Sequence, residues 1–291
     1  MTEFHLYLPQ MRMTFDTITE RARAAEAAGF DGIALMDHLA PPLAEQHAMH
    51  DAMVSATWLA AHTRTATISH LVLCDAFRQP AILAKQVVGI DHASGGRFEL
   101  GLGWGSVPSE LERFGIGATE TRPRIERMRE TIEVLRLLWS GSEADYDGLH
   151  HRLHGAMQSP TPTRDIPIVI GGAGERTMEL VAEHATWWNC PAYAFERFAA
   201  LRASAGPARP SLQLMVALVL DGRSREEVEA RTARRFGPGR PDIVLGTATE
   251  VAERLHGLAE QGVDRFYVWF TDFAPPPTLE AFGADVMSRI R

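Results

Sequence analysis

Three stretches of this chain carry residue types that can do chemistry. Asp37-His38 follows directly on the apolar run of residues 32–36. An imidazole changes charge near neutral pH, so a histidine at the end of a strand suits general acid–base work. Taken alone, an Asp-His pair in that place is a turn with a helix cap. His38 has no second ligand at metal-binding spacing, and H-E-x-x-H is absent, so no metal is expected. The second stretch is Gly171-Gly172-Ala173-Gly174-Glu175-Arg176. Free N–H groups at a helix start attract an anion, glycines let a phosphate approach, and Arg176 adds charge. The stretch is not a G-x-x-x-x-G-K-[ST] loop, which favours a phosphate-bearing cofactor over nucleotide hydrolysis. Without a ligand it reads as a glycine-rich turn, with Glu175 favoured by the helix dipole. The third stretch, residues 92–105, reads H-A-S-G-G-R-F-E-L-G-L-G-W-G. Glycines at a strand end let the backbone turn and let a flat ligand come close. There is no G-x-S-x-G elbow, which argues against serine hydrolysis.

Eight strand-like runs must position these residues: 4–8, 32–36, 67–73, 98–102, 168–170, 186–188, 212–220 and 265–270. Helical runs alternate with them at 16–28, 52–62, 80–90, 123–139, 175–184, 224–235, 247–261 and 279–290. Asp147-Gly148 marks a small hairpin. Gly237, Pro238, Gly239 and Pro241 interrupt the later part. This alternation reads as one α/β domain over residues 1–291, a closed parallel (β/α)8 barrel, with an open doubly wound sheet as runner-up. Asp37-His38, Cys74-Asp75, residues 103–106, residues 171–176 and Asn189 each follow a predicted strand. In a barrel those ends form one rim, where active sites sit.

The totals agree with a globular protein. The chain has 291 residues, 45% of them hydrophobic, and a net charge of -8. No basic cluster stands out, so nucleic acid is not an expected partner. No apolar run is long enough for a bilayer, and the N-terminus does not read as a signal peptide. Cys74 and Cys190 make neither a disulfide framework nor a zinc motif, so a cytoplasmic location is expected.

Several of these stretches, in the same order, resemble the luciferase-like flavin and deazaflavin oxidoreductases. S-G-G-R-F-x-L-G-x-G-x-G is similar to that family's signature. A-A-G-F-D-G-I-A-L-M-D-H resembles its second strand. L-V-L-C-D-A-F-R-Q-P-A-I-L-A-K-Q resembles its third strand and helix, and P-I-V-I-G-G-A-G-E-R with A-T-W-W-N its fifth and sixth. G-T-A-T-E-V-A-E-R-L with A-E-Q-G-V-D-R-F is similar to its ending.

The resemblance implies a TIM barrel of the luciferase-like type with insertions. It implies a reduced flavin or the deazaflavin coenzyme F420 in the barrel mouth, and the motifs look closest to the F420-dependent branch. By resemblance, His38 lies near the redox ring as the acid–base residue, with Asp37 beside it. Leu71-Val72 backs the ring through a non-proline cis peptide. Gly103 lies on the same rim, and residues 171–176 hold the phosphate. Two residues depart from the family pattern. Some dehydrogenases of the family carry an acid where this chain has Ser106, and many relatives have a small residue where it has Trp104. Both are assigned to the substrate pocket, where an indole narrows the space or stacks on substrate. The expected function is hydride transfer between F420 and a small organic molecule. An FMN-dependent monooxygenase and a non-catalytic flavin-binding barrel are the alternatives. A homodimer is implied by resemblance only.

Overall fold

The computed structural model describes residues 1–42, 44–117, 120–240 and 242–291; Pro241, read above as part of a break, lies outside them. The chain runs β1 (Glu3–Leu8), α1 (Phe15–Ala27), β2 (Gly32–Leu35), α2 (Ala52–His62), β3 (Thr67–His70), β4 (Leu73–Cys74) and α3 (Pro80–Ser94). It continues through β5 (Leu100–Gly103), α4 (Pro108–Arg113), α5 (Thr121–Trp139), β6 (Ala144–Asp147), β7 (Arg152–Ala156), β8 (Ile168–Gly171) and α6 (Glu175–His184). The remainder is β9 (Trp187–Cys190), α7 (Phe198–Ser204), β10 (Arg209–Leu218), α8 (Arg225–Phe236), β11 (Ile243–Gly246), α9 (Ala248–Glu260), β12 (Arg265–Phe270) and α10 (Pro276–Asp285).

Capping sets many of the helix bounds. Thr14 caps α1 and Asp51 caps α2 through their side chains. Pro80 opens α3, and Gly95, at φ +68°, ends it. Ser224 with Glu227 and Thr247 with Glu250 form capping boxes on α8 and α9.

The strands lie in the order β3, β2, β1, β12, β10, β9, β8, β5, β4, all parallel. β3 and β4 are two halves of one barrel strand, broken at Leu71-Val72, and Ile68 bridges Phe98 beside β5. The sheet is therefore a nearly closed luciferase-like barrel. The doubly wound alternative fails because the first strand pairs with the last, Phe4 with Phe266 and Leu6 with Val268. The third run, expected to be continuous over 67–73, is interrupted. β11 was not expected: Ile-Val-Leu-Gly is a short run, and it pairs with the upper half of β10. Asn189 lies within β9 rather than after it. The expected hairpin is the antiparallel pair β6–β7.

Alternation along β5 decides what faces where. Phe98, Leu100 and Leu102 join the core between barrel and helices. Glu99, Gly101 and Gly103 point inward. At the base of the barrel Glu99 receives two hydrogen bonds from Arg265, at 2.6 and 3.1 Å. Arg265 also bonds Glu3 at 2.6 and 2.8 Å and the Tyr267 hydroxyl at 3.1 Å. Its guanidinium lies 3.6 Å from the Trp187 ring centre. Burial alone would raise the Glu3 carboxyl, but its contacts with His5 and Arg265 outweigh it and hold the pKa at about 2.

Two fully buried histidines make the fold sensitive to acid. Burial holds His70 at about 4, below its ordinary 6.5, although its Nε2 reaches the Ala52 carbonyl oxygen at 3.1 Å. Burial likewise pushes His5 down. The fold favours the neutral rings, while the unfolded chain takes up protons below about pH 6.5. Stability is therefore complete above that pH and is lost as the pH falls toward 4. For His70 alone the loss is on the order of 3 kcal/mol. Urea unfolding at pH 7.5 and pH 4.5 should show a clearly lower midpoint at the acid end. A midpoint that stays flat would mean that these rings are not held neutral.

Candidate active site

The rim of the barrel gathers most of the residues singled out above. Met36 is gripped by Gln10, whose side chain bonds both its carbonyl oxygen and its N–H, at 2.5 and 3.1 Å. The chain then passes through Asp37, whose carboxylate is fully engaged. Oδ2 accepts from the Cys74 N–H at 2.7 Å, and the Arg78 fork bonds both oxygens at 2.5 and 2.9 Å. Asp37 thus ties the end of β2 to β4 and to the start of α3. In the structure it holds the scaffold beneath His38.

His38 is mostly buried, its side chain 18% exposed, and its Nδ1 lies 2.8 Å from Glu110 Oε2. The other oxygen of Glu110 accepts from the N–H groups of Leu39 and Ala40, at 2.7 and 3.3 Å. A carboxylate accepts, so Nδ1 carries the proton and Nε2 is left as the working nitrogen. Sequence reading passed over Glu110. Its signal was an acid in the first turn of a helix opened by Pro108, just past the glycine-rich strand end.

The broken strand, from the end of β3 through Val72, approaches β5 so closely that side chains are excluded. A Cβ on Gly101 would fall 1.7 Å from the His70 carbonyl oxygen, and one on Gly103 would fall 2.6 Å from Val72 Cγ2. The Leu71-Val72 peptide is cis, as the resemblance implied. Burial, with Asp37 nearby, pushes the Cys74 thiol up to about 12, so it stays protonated and is a poor nucleophile.

Next to β5 in the sheet, β8 ends at Gly171. Gly172 has φ +142°, and a Cβ there would meet Thr177 Cγ2 at 2.8 Å. α6 follows with Gly174 as its N-cap and no side chain capping it, so its first N–H groups point out from the helix start. Thr177 Oγ1 accepts from Trp104 Nε1 at 3.3 Å, and the Arg124 guanidinium lies 4.9 Å from the Trp104 ring centre. The indole is pinned against the first turn of α6.

Together these walls enclose a cavity of about 460 Å³. Asp37, His38, Leu71, Val72, Gly103, Trp104, Ser106, Gly171 and Gly172 line it, joined by Glu110 and Asn189. Ala173, Gly174, Glu175 and Arg176 do not line it. Ala173 is buried, and the other three are exposed. Among the described residues no three His, Cys, Asp or Glu side chains converge to hold a metal ion. No helix among them is long and apolar enough to cross a membrane.

Residues 1–240 match the profile of the luciferase-like monooxygenase family. The chain belongs to this family. Its relatives include 5,10-methylenetetrahydromethanopterin reductase of Archaeoglobus fulgidus, 31% identical over 265 residues, which are 89% of this chain and 74% of that protein. F420-dependent glucose-6-phosphate dehydrogenase of Mycolicibacterium fortuitum is 33% identical over 162 residues, 54% of this chain and 47% of the relative. That match spans about half the length of the dehydrogenase. Among solved structures, an F420-dependent secondary alcohol dehydrogenase in complex with an F420-acetone adduct has a TM-score of 0.83. The comparison covers 100% of this chain and 99% of that one at 17% identity, and it shows the shared barrel. Residues 241–291 lie outside the family match, yet β12 among them closes the barrel against β1.

Proposed function

We propose that this luciferase-like protein is an F420-dependent oxidoreductase acting on a small organic substrate in the barrel mouth. The observation that carries the reading is one cavity that joins an apolar wall, a bare glycine edge and a His–Glu couple. The relatives named for F420 support the cofactor. The residues present fit such a group. Leu71 and Val72 offer a flat apolar wall, Gly103 and Gly171 leave room for a ring edge, and the uncapped start of α6 suits a phosphate. The bound coenzyme supplies the hydride chemistry. The chain orients both ligands and handles the proton. Glu110 holds the His38 ring in one tautomer, and Nε2 takes or gives the proton that the substrate heteroatom loses or gains.

Fluorescence titration with F420 and with FMN tests the assignment, with F420 expected to bind more tightly. No response to F420, together with substrate-dependent oxygen uptake on reduced FMN, would replace it with the monooxygenase reading. A second expectation concerns Gly172→Val. A branched side chain at positive φ, pressed on Thr177, displaces the start of α6. Backbone strain of this kind costs about 1–3 kcal/mol, so cofactor affinity should fall roughly tenfold or more. If the variant binds F420 as tightly as the parent, the loop is only a turn.

A further inference from the structure

A second void adjoins the first on the side of β9 and β10. It measures about 860 Å³ and shares Asn189, Pro191, Tyr193 and Gln213 with the first cavity, so the two form one space with a polar waist. In the strand register Asn189 of β9 stands beside Ser211 of β10, and Gln213 follows two residues on, on the same inward face. Asn189 is 7% exposed. Its Oδ1 accepts from Ser211 Oγ at 3.4 Å. Its Nδ2 has no partner among the described residues and lies 3.9 Å from the point where a Cβ on Gly171 would stand. The Gln213 amide has no partner among them either. Asn189 is buried and Gln213 partly buried, and two carboxamides with free donors facing one void are set to read a ligand. Beyond the waist the walls are Phe195, Met215 and Trp269, with Arg240 paired to Asp242 through two hydrogen bonds and with Glu196 and Arg254 at the exposed outer edge.

We infer that this second void is the substrate chamber, and that it takes an uncharged molecule with a flat apolar body and a carbonyl or amide edge. The inference rests on the first cavity being the cofactor's. The body lies against Phe195, Met215 and Trp269, which offer aromatic and adaptable apolar surface. Asn189 donates to the edge, and the Gln213 amide donates or accepts. A sugar phosphate would bring a dianion to a waist that has no lysine or arginine among its four shared residues.

Coumarin, a flat neutral lactone, serves as the probe. Its binding is measured by equilibrium dialysis against the parent, Gln213→Ala and Asn189→Ala, each with and without F420, and F420 affinity and melting temperature are recorded alongside. The parent should bind coumarin. Each variant should bind it about tenfold more weakly or worse, because the loss of one ligand hydrogen bond costs about that much. Asn189 and Gln213 also border the first cavity, so F420 affinity is the comparison, and coumarin binding should fall further than F420 binding in both variants. Gln213→Ala breaks no internal hydrogen bond among the described residues, so its melting temperature should not move. No coumarin binding to the parent overturns the inference, as does unchanged binding to Gln213→Ala or displacement of coumarin by glucose 6-phosphate. If coumarin binds and the variants weaken it while F420 fails to bind at all, the chamber stands and the cofactor assignment falls.

Discussion

Turnover is expected to fall ~10²–10⁴-fold when His38 is replaced by asparagine, the usual contribution of a positioned acid or base. Asparagine keeps a hydrogen-bonding group where Nδ1 meets Glu110. It cannot take up a proton near neutral pH. F420 affinity should therefore stay within a few-fold, and the pH dependence of turnover should change shape. A structural role gives the opposite pattern: melting temperature or cofactor affinity falls, and the surviving fraction turns over normally. The assay first needs a substrate, found by screening enones, alcohols and aldehydes with reduced and oxidised F420. Unchanged turnover and an unchanged pH profile in the variant would remove His38 from the mechanism.

Arg265→Ala is expected to cost about 3–5 kcal/mol of stability, because it leaves a buried carboxylate without its counter-charge. Arg265 is 3% exposed and Glu99 6%. Alanine removes both bonds to Glu99 and both to Glu3 at once. Urea unfolding measures the loss. The double variant Arg265→Met with Glu99→Leu should recover most of it, since an apolar pair of similar volume often replaces a buried ion pair at little cost. A loss in Arg265→Ala below about 1 kcal/mol would show that the network is better solvated than its burial indicates. Cofactor affinity should be unaffected while the fold survives, because this layer lies at the opposite end of the barrel from His38.

The sequence made some of this legible and hid the rest for physical reasons. Local rules are read locally. The helices at 52–62 and 175–184 and the strand at 265–270 match their expected bounds because caps, turns and periodicity sit within a few residues. His38 was found because a polar pair stopped an apolar run. Glu110 was missed because its role depends on α4 folding back over the end of β2, 72 residues away in the chain. The alternation at residues 98–102 marked a strand but could not say which face would be enclosed. Closure put Glu99 and the glycines inside and the large apolar side chains outside. The wall at the end of β8 was half legible. Gly171 and Gly172 line the cavity, while Arg176, chosen for its charge, lies outside it. Asn189 and Gln213 face one void only because β9 and β10 are neighbours, which no local pattern states.

The ionic layer around Arg265 also governs traffic. Its side chains, with Trp187 stacked on the guanidinium, pack the base of the barrel interior, as inward-facing layers do in such barrels. Under the proposed function both ligands would then share the rim, so whichever lies deeper arrives first and departs last, and the molecule above it is a gate on its exchange. On that reading an order of addition and release is set by charges that meet neither ligand.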